Sequence, residues 1–275
     1  MRLALLLALA VAGCAQTPPV ADASPAPADT TDRPPRMGPV FAGPMRADPV
    51  FDAASLVEAM ATRYPEWART LSFTQRTSRR EPDGAVSVET WREWAALPGR
   101  LRIEMGDPMV GTDILFVGDT MYVVQDGRLE AAVADRNPLL LWGFDVYTQD
   151  PVETLRIAAE DGVDLAAFRT DVWDGTPAYV LGAPETGEVW VERDRLLFVR
   201  LVETGPEGAR RDVRFENYRP LGGGWIAPLV EVWQDGERVF WEEYSDIVAD
   251  PVLDPVLFEP RRWAEGVAET VAETH

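Results

Sequence analysis

Residues 69–105 read RTLSFTQRTSRREPDGAVSVETWREWAALPGRLRIEM, and this stretch decides the fold class. Two runs of strand-forming residues, Arg69 to Arg80 and Val86 to Ala96, flank the turn sequence Glu81-Pro82-Asp83-Gly84. A second turn at Pro98-Gly99 leads into a third run, in which apolar and charged side chains alternate. Because both connections are too short for a crossover, neighbouring strands must run antiparallel. The stretch therefore predicts an antiparallel meander.

The same period-two pattern continues along most of the chain and is interrupted by a few helical segments. Asp52 to Trp67 is predicted to be a helix that ends near Tyr64, before Pro65, and Asp150-Pro151-Val152-Glu153 is typical of a second helix start. The apolar segment Asn137 to Phe144 lacks alternation and predicts a short helix or a lid. Further strands are predicted at 112–117, 120–124, 128–133, 169–173, 178–182, 188–192, 196–203, 210–218, 225–233 and 238–247. The predicted fold is mainly β (α+β), one large curved antiparallel sheet with two or three covering helices.

Two of the later strands carry large apolar side chains on both faces. In 238–247, Phe240 and Tyr244 point one way, whereas Trp241 points the other. A sheet with one solvated face would alternate more cleanly. Two interpretations remain open: a packed core plus an apolar cavity or groove, or a thick core with helices on both faces.

The start of the chain indicates where the protein resides. After Met1-Arg2, an apolar run from Leu3 to Val11 is too short to span a bilayer and precedes the only cysteine, Cys14. Val-Ala-Gly-Cys resembles a bacterial lipobox, which implies that residues 1–13 are a lipoprotein signal peptide and that Cys14 is lipidated. The alternative is an ordinary secretory leader with a chance cysteine. Residues 14–50 then form a Pro/Ala-rich tether, 51–263 one domain, and 264–275 a loose acidic tail.

Composition excludes several classes of function. The formal net charge of −20 argues against a nucleic-acid partner. There is no lysine, and the single histidine is His275, so triads, Schiff-base lysines and imidazole or thiolate metal sites are excluded from the domain. Carboxylate chemistry remains, either a glycosidase-type pair or an oxygen-ligated calcium site. The acidic group Glu242-Glu243 and Asp246 lies among alternating strand residues, which favours a solvated face. We therefore expect no enzyme activity, no catalytic residue, no metal and no cofactor.

Several segments, in order, resemble the LolA/LolB-like periplasmic lipoprotein carriers. They are DAAS at 52–55 with the helix that follows, SFTQ at 72–75, the pair Trp91 and Trp94 before Pro98 and Leu101, ILFVGDTMY at 114–122, and FEP at 258–260. The resemblance covers roughly residues 52–260. It implies an incomplete antiparallel β-barrel of about eleven strands, closed by helices around a hollow that receives acyl chains. Carrying lipid needs apolar area and a lid rather than a general base.

The resemblance also implies site residues. The expected hollow-lining residues are Phe73, Trp91, Ile103, Leu115, Met121, Trp142, Phe198, Phe215 and Trp233. The receptor member of the family exposes an apolar residue on a loop after its third strand, and here that loop holds Met109 and Val110, expected to touch membrane or cargo or to tuck into the rim. The soluble carriers latch the lid with an arginine before the proline of the third strand. Leu97 occupies that position here, which departs from the pattern.

These features lead to one hypothesis and two alternatives. The first is a lipoprotein anchored to the outer membrane through Cys14, facing the periplasm, that binds lipid or the acyl chains of lipoproteins, such as palmitate, in outer-membrane lipoprotein sorting. Ala15 rather than aspartate after Cys14 fits outer-membrane placement by analogy with the family. The second is a non-enzymatic sensor or assembly module that binds a periplasmic partner protein on the same fold. The third is a carboxylate-dependent glycan hydrolase with paired acids in the cleft.

Overall fold

The structure, a computed structural model, describes residues 50–106, 111–205 and 208–260. Cys14, the tether, the loop residues Met109 and Val110, and the tail from 264 lie outside the described residues, so the predictions made for them stay predictions. No helix in the described part is long and apolar enough to cross a membrane.

Strands make up most of the described chain. They are β1 Thr70–Arg80, β2 Val86–Ala96, β3 Arg100–Met105, β4 Thr112–Val117, β5 Thr120–Gln125, β6 Arg128–Ala134, β7 Phe168–Trp173, β8 Thr176–Ala183, β9 Gly187–Glu192, β10 Leu197–Thr204, β11 Arg210–Glu216, β12 Arg219–Leu221, β13 Gly224–Ile226, β14 Leu229–Gln234 and β15 Glu237–Ala249. The count exceeds the expected eleven. The prediction of one continuous strand over 225–233 is wrong. This segment is divided into β13 and β14 between Ile226 and Leu229, where Pro228 has no N–H for a ladder hydrogen bond.

Three α-helices lie in the described part of the chain, and two of them begin at Asp52 and Asp150, where the sequence predicted helix starts. Asp52 caps α1 (Ala53–Arg63) through a reciprocal pair of hydrogen bonds with Ser55. Asn137 caps α2 (Pro138–Gly143), and Asp150 caps α3 (Pro151–Glu160), in both cases with proline at the first helical position. A short 3-10 turn, Asp145–Tyr147, joins α2 to α3, and another, Pro255–Phe258, follows β15.

Thirteen strands form one antiparallel sheet with the order β6-β5-β4-β3-β2-β1-β15-β14-β11-β10-β9-β8-β7. The first six strands are a simple meander, as residues 69–105 predicted. The later strands form a second meander, and β15 returns to pair with β1 in the middle of the sheet. The two ends of the order, β6 and β7, are edges, so the sheet is large and open and does not close into a barrel. β12 and β13 form a separate hairpin.

The two faces of the sheet are distinguished by strand register. Directly paired residues share a face, so Phe73 of β1 lies on the same face as Glu93 of β2 and Ile103 of β3. We call this the inner face. Helix α2 packs on it, because a Cβ on Gly143 would lie only 2.9 Å from the Phe215 ring of β11. The opposite side is the outer face.

On the outer face of the first meander, the segment after β15 supplies the cover. Leu115 of β4 and Ala96 of β2 pack against Phe258 of the final 3-10 turn, and the half-buried Trp94 joins this cluster. Arg100 adds a guanidinium 5.6 Å from the centroid of the Phe258 ring. The closing segment predicted from FEP at 258–260 is therefore a cover for the outer face, not a strand.

The outer face of the second meander is covered by arginines stacked on tryptophans. The guanidinium carbon of Arg200 lies 4.0 Å from the Trp173 ring centroid and 5.1 Å from that of Trp190, while Arg214 lies 4.3 Å from Trp233. The remaining contacts join Arg169 to Trp190 and Arg238 to Trp241. We call these four tryptophans and four arginines the Arg–Trp ladder. It shows why these strands carry apolar groups on both faces.

Carboxylates hold the ladder in register. Asp212 accepts two hydrogen bonds from Arg200, at 2.7 and 2.8 Å, and two from Arg214, at 2.8 and 3.3 Å. Burial opposes ionisation of Asp212, but these arginine hydrogen bonds outweigh it and hold its pKa below the usual value. Glu231 likewise accepts from Arg238 at 2.6 Å and from Trp233 Nε1 at 3.1 Å. The ladder is thus a neutralised, stacked layer.

We expect Arg200→Lys to lower the free energy of unfolding by about 2 kcal/mol, because lysine keeps the charge but loses both the bidentate pair and the planar stacking. Urea unfolding followed by circular dichroism measures the change. Arg76→Lys is the matched control, since Arg76 and Glu243 form an exposed pair with side chains 54 % and 52 % accessible, and it should change stability by less than about 0.5 kcal/mol. Equal losses in the two variants would contradict a structural role for the ladder.

Candidate functional site

The inner face carries an apolar surface that runs across both meanders. Six of the nine predicted lining residues lie on it: Phe73, Trp91, Ile103, Met121, Phe198 and Phe215. All six are buried, and Met121 and Phe198 are fully so. Trp142 lies in α2 rather than in the sheet, and it too is buried. The structure therefore brings most of the predicted set to one side of the sheet.

Leu115 and Trp233 are exceptions, because both lie on the outer face. Leu115 pairs with Arg102 of β3 and packs against Phe258, whereas its neighbours Ile114 and Phe116 face inward. Trp233 shares its side with Glu231, to which it donates a hydrogen bond. A strand exposes alternate residues on opposite faces, so an error of one position reverses the assignment. Both residues are apolar because they are covered on the outer face, Leu115 by Phe258 and Trp233 by the guanidinium of Arg214.

Aromatic pairs extend along the inner face. Phe73 lies 4.5 Å from Tyr244 between ring centroids, and Phe198 lies 4.9 Å from Phe215 in a T-shaped arrangement. Trp91 and Phe240 are 6.3 Å apart. Such pairs bury large areas and hold fixed geometry. The inner face thus offers flat aromatic surface on both sides of the central strands β1 and β15.

The 3-10 turn Asp145–Tyr147, which we call the clasp segment, ties the helices to both meanders. Asp145 Oδ1 accepts a hydrogen bond of 3.0 Å from the backbone N–H of Gly99, in the β2–β3 turn. At the other end, the Tyr147 hydroxyl accepts from Phe198 N at 2.8 Å and donates to Leu196 O at 3.1 Å. One turn of chain therefore bridges the first meander and the second.

Aromatic stacking reinforces the clasp segment. Trp67, just after α1, stacks on Tyr147 with ring centroids 4.0 Å apart and planes 14° apart. The β12–β13 hairpin closes over this pair, and Gly224 is required there because a Cβ would lie 2.1 Å from the Trp67 ring. Leu97, at the position of the carriers' latch arginine, is buried and apolar. The adjacent turn is instead held by a backbone N–H donating to Asp145.

A cleft of about 410 Å³ lies between α2, α3 and the turns of the first meander. Its apolar wall includes Phe116 from the inner face together with Leu140, Leu141 and Ile157 from the helices. Polar groups at its rim include Arg156, which pairs with Glu153 at 2.5 Å. The cleft lies between the helices and the sheet and reaches Phe116 on the inner face. Asp145 of the clasp segment also lines it.

A polar group interrupts the apolar inner face in the central strands. Gln75 and Thr77 of β1, Glu93 of β2, and Glu242 and Tyr244 of β15 share this face, and we call them the inner polar cluster. The Tyr244 hydroxyl donates to Glu242 at 2.6 Å. Burial raises the pKa of Glu242 to about 7, and burial together with the charge of Glu242 raises that of Glu93 well above its usual value.

The sequence predicted a solvated face for the acidic group, and the structure exposes Glu243 and Asp246 but places the partly exposed Glu242 on the inner face. Its neighbour Glu243 is exposed and pairs with Arg76, but Glu242 points inward. The alternation of side chains along this strand could have indicated it, because Glu242 lies on the same face as Phe240 and Tyr244. Within the described residues, no cluster of three or more carboxylate, histidine or cysteine side chains could hold a metal ion.

Comparison with known proteins supports a LolA-like fold. No protein-family model and no curated protein matches the sequence. Among solved structures, a DUF1329 family protein from Desulfovibrio piger has a TM-score of 0.55 at 15% identity, covering 77% of this chain and 97% of its own. A LolA superfamily protein from Nitrosomonas europaea gives 0.50 at 17%, covering 78% and 100%. An outer membrane lipoprotein-sorting domain from Vibrio parahaemolyticus gives 0.53 at 13%, covering 77% and 97%.

Titration of Asp145 should make stability depend on pH. Burial raises its pKa to about 7, although the Gly99 hydrogen bond acts in the opposite direction. Between about pH 4 and 7 the folded state then holds a proton that the unfolded state has lost, so Asp145 destabilises the fold increasingly as pH rises, by up to about 1.4 kcal/mol per unit.

We expect Asp145→Asn, which keeps the acceptor for Gly99, to remove that slope. The gap in unfolding free energy between variant and wild type should widen in favour of the variant from pH 5 to pH 7, as measured by urea unfolding across pH. Asp161→Asn at the end of α3 serves as the control for an acid outside the clasp segment. A gap that does not change with pH would show that Asp145 titrates normally.

Proposed function

We propose that this protein is a non-enzymatic, membrane-anchored lipoprotein that binds lipid, or the acyl chains of lipoproteins, on the inner face of its open sheet. The observation that carries the proposal is the apolar inner face, to which both meanders contribute and on which the helices pack. Acyl chains need apolar area and few directional contacts, and each buried methylene contributes about 0.8 kcal/mol. The aromatic pairs along β1, β15 and β11 offer such area.

The fold likeness supports the same class of function. One structural neighbour is described as a domain of outer membrane lipoprotein sorting and another as a LolA superfamily protein. By analogy, the chain acts in the bacterial envelope, facing the periplasm, and takes part in outer-membrane lipoprotein sorting. Fold likeness alone does not define function, so the chemistry of the inner face carries the argument and the neighbours support it.

The cleft and the clasp segment give this proposal a route for cargo. The cleft meets the inner face at Phe116 and is bounded by α2 and α3. The clasp segment hydrogen-bonds to both meanders, and we propose that the helices it joins act as a lid fastened at this turn. We propose that cargo enters where these helices separate from the β2–β3 and β4–β5 turns.

Binding of an acyl chain can be tested with a polar substitution on each face of the sheet. We expect Ile103→Asn to weaken binding of a fluorescent fatty acid about tenfold or more, because it places an unpaired amide against the hydrocarbon. Leu115→Asn is the matched control: it lies on the adjoining strand, is equally buried, and faces outward. Binding should survive in that variant.

Both variants are first compared by thermal unfolding, so that only folded protein is titrated. The unmodified chain should also release phospholipid or acyl chains on solvent extraction, detected by mass spectrometry. A protein that extracts empty, binds no fatty acid and instead captures a folded periplasmic protein would favour the assembly-module alternative and overturn the lipid proposal.

Anchoring is proposed to depend on one residue. Cys14 follows the apolar leader, and several acyl chains on one residue hold a protein stably at a bilayer. We expect Cys14→Ser to move the protein from the membrane pellet to the soluble fraction after cell lysis, and to abolish the mass increment of diacylglycerol and acyl groups at the mature N-terminus. Wild-type protein that carries a bare Cys14 would contradict the anchor.

A further inference from the structure

The inner polar cluster lies in the middle of the surface proposed to hold hydrocarbon. Gln75 faces Trp91 on one neighbouring strand and Tyr244 on the other, so it lies between aromatic rings. Glu93 is buried, whereas Glu242 and Tyr244 keep part of their surface accessible. A polar group with accessible atoms, set among apolar side chains, is the arrangement of a site that orients one polar end of a ligand.

The cluster has more hydrogen-bond acceptors than donors. The Gln75 amide donates to Thr77 Oγ1 at 2.8 Å, and the Tyr244 hydroxyl donates to Glu242. Gln75 is 0 % exposed, and its Oε1 has no partner in the described structure. Buried acceptors without donors are costly, and native structures place them where a donor arrives. A ligand that brings donors would satisfy Gln75 Oε1.

The charge balance of the cluster points in the same direction. Within the described residues, neither carboxyl of the cluster forms an ion pair with an arginine, whereas buried acids of the outer face such as Asp113 and Glu188 do. Arg79 lies on the same face beyond Thr77, and it too makes no ion pair with them. Burial and, to a lesser extent, the charge of Glu242 raise the pKa of Glu93. A cation between the two carboxyls would offset that charge.

We infer that the inner polar cluster binds the ammonium group of an amine-bearing amphiphile whose hydrocarbon lies along the apolar inner face. The inference rests on the proposed function and names the ligand class. An ammonium group presents three donors and a positive charge, which match Glu93, Glu242 and Gln75 Oε1. An alcohol supplies one donor, and a fatty carboxylate would add a third negative charge.

Three ligands with the same chain separate the headgroup from the hydrocarbon. Decylamine, decanol and decanoate are titrated below their micelle concentrations into the full chain carrying Cys14→Ser, at pH 8, and heats are measured by calorimetry. We expect decylamine to bind about tenfold or more tightly than decanol, and decanoate most weakly, since a hydrogen bond to a charged group stabilises by more than one to a neutral group.

Variants assign that preference to the cluster. Glu242→Gln and Glu93→Gln should each reduce the preference for decylamine over decanol about tenfold and leave decanol affinity within about twofold. Both should fold, because each carboxyl is already readily protonated in the native state, and thermal unfolding verifies this. Glu243→Gln, one residue away on the outer face, is the control and should keep the full preference for decylamine.

The outcomes distinguish this inference from the function on which it rests. Equal affinity for all three ligands would overturn the amine site and leave acyl binding intact. A preference for the amine that persists unchanged in both glutamine variants would also overturn it. No binding of any ligand would overturn both proposals together. Proton release on decylamine binding, measured by repeating the titration at pH 6.5 in buffers of different ionisation enthalpy, should be reduced in Glu242→Gln.

Discussion

The clasp segment is the constraint on which the rest of this architecture depends. An open sheet of thirteen strands has no closure of its own, and its two meanders meet along β1 and β15 alone. Two residues of the clasp segment join the meanders a second time: Asp145 hydrogen-bonds to the β2–β3 turn, and Tyr147 hydrogen-bonds to the start of β10. The Phe198 N–H that Tyr147 accepts is buried, so the loss of this contact would leave an unsatisfied donor as well as a detached clasp segment.

Sequence reasoning predicted the strands well because their turns are local. Glu81-Pro82-Asp83-Gly84 and Asp126-Gly127 specify hairpins irrespective of the remainder of the fold, and Asp150-Pro151 specifies a helix start. It was less successful with the 225–233 segment, where the hairpin geometry depends on the packing of Gly224 against Trp67, a residue more than 150 positions away. The clasp contacts were missed for the same reason. No local pattern marks Asp145 as a partner of Gly99, since its acceptor role exists only once the helices dock.

The lining residues illustrate a second limit. Apolar groups on both faces of the later strands pointed to two buried surfaces, which is correct, but the two surfaces differ in kind. The inner one is covered by helices, whereas the outer one is covered by guanidinium planes on indole rings. The exclusive use of arginine, read at first only as an absence of lysine chemistry, has its structural meaning here. Lysine carries no planar group to stack on an indole or to bind Asp212 through two parallel hydrogen bonds. The apolar composition of its strand therefore predicts that Trp233 lines a cavity, whereas its position in the alternation places it on the outer face, in the Arg–Trp ladder.

The inner polar cluster conflicts with what stability alone would favour. Glu93 and Glu242 could be replaced by apolar residues, and a continuous hydrocarbon surface would then cost no desolvation of a carboxyl. The chain pairs buried acids of the outer face with arginine, as at Asp113 and Glu188, but does not pair the two carboxyls of the inner polar cluster. An unpartnered amide oxygen beside two unpaired carboxyls is difficult to explain by folding, since each group raises the free energy of the empty protein. It is explained by a bound cation that all three can share, which makes the destabilised empty state a source of selectivity between amphiphiles with the same hydrocarbon chain.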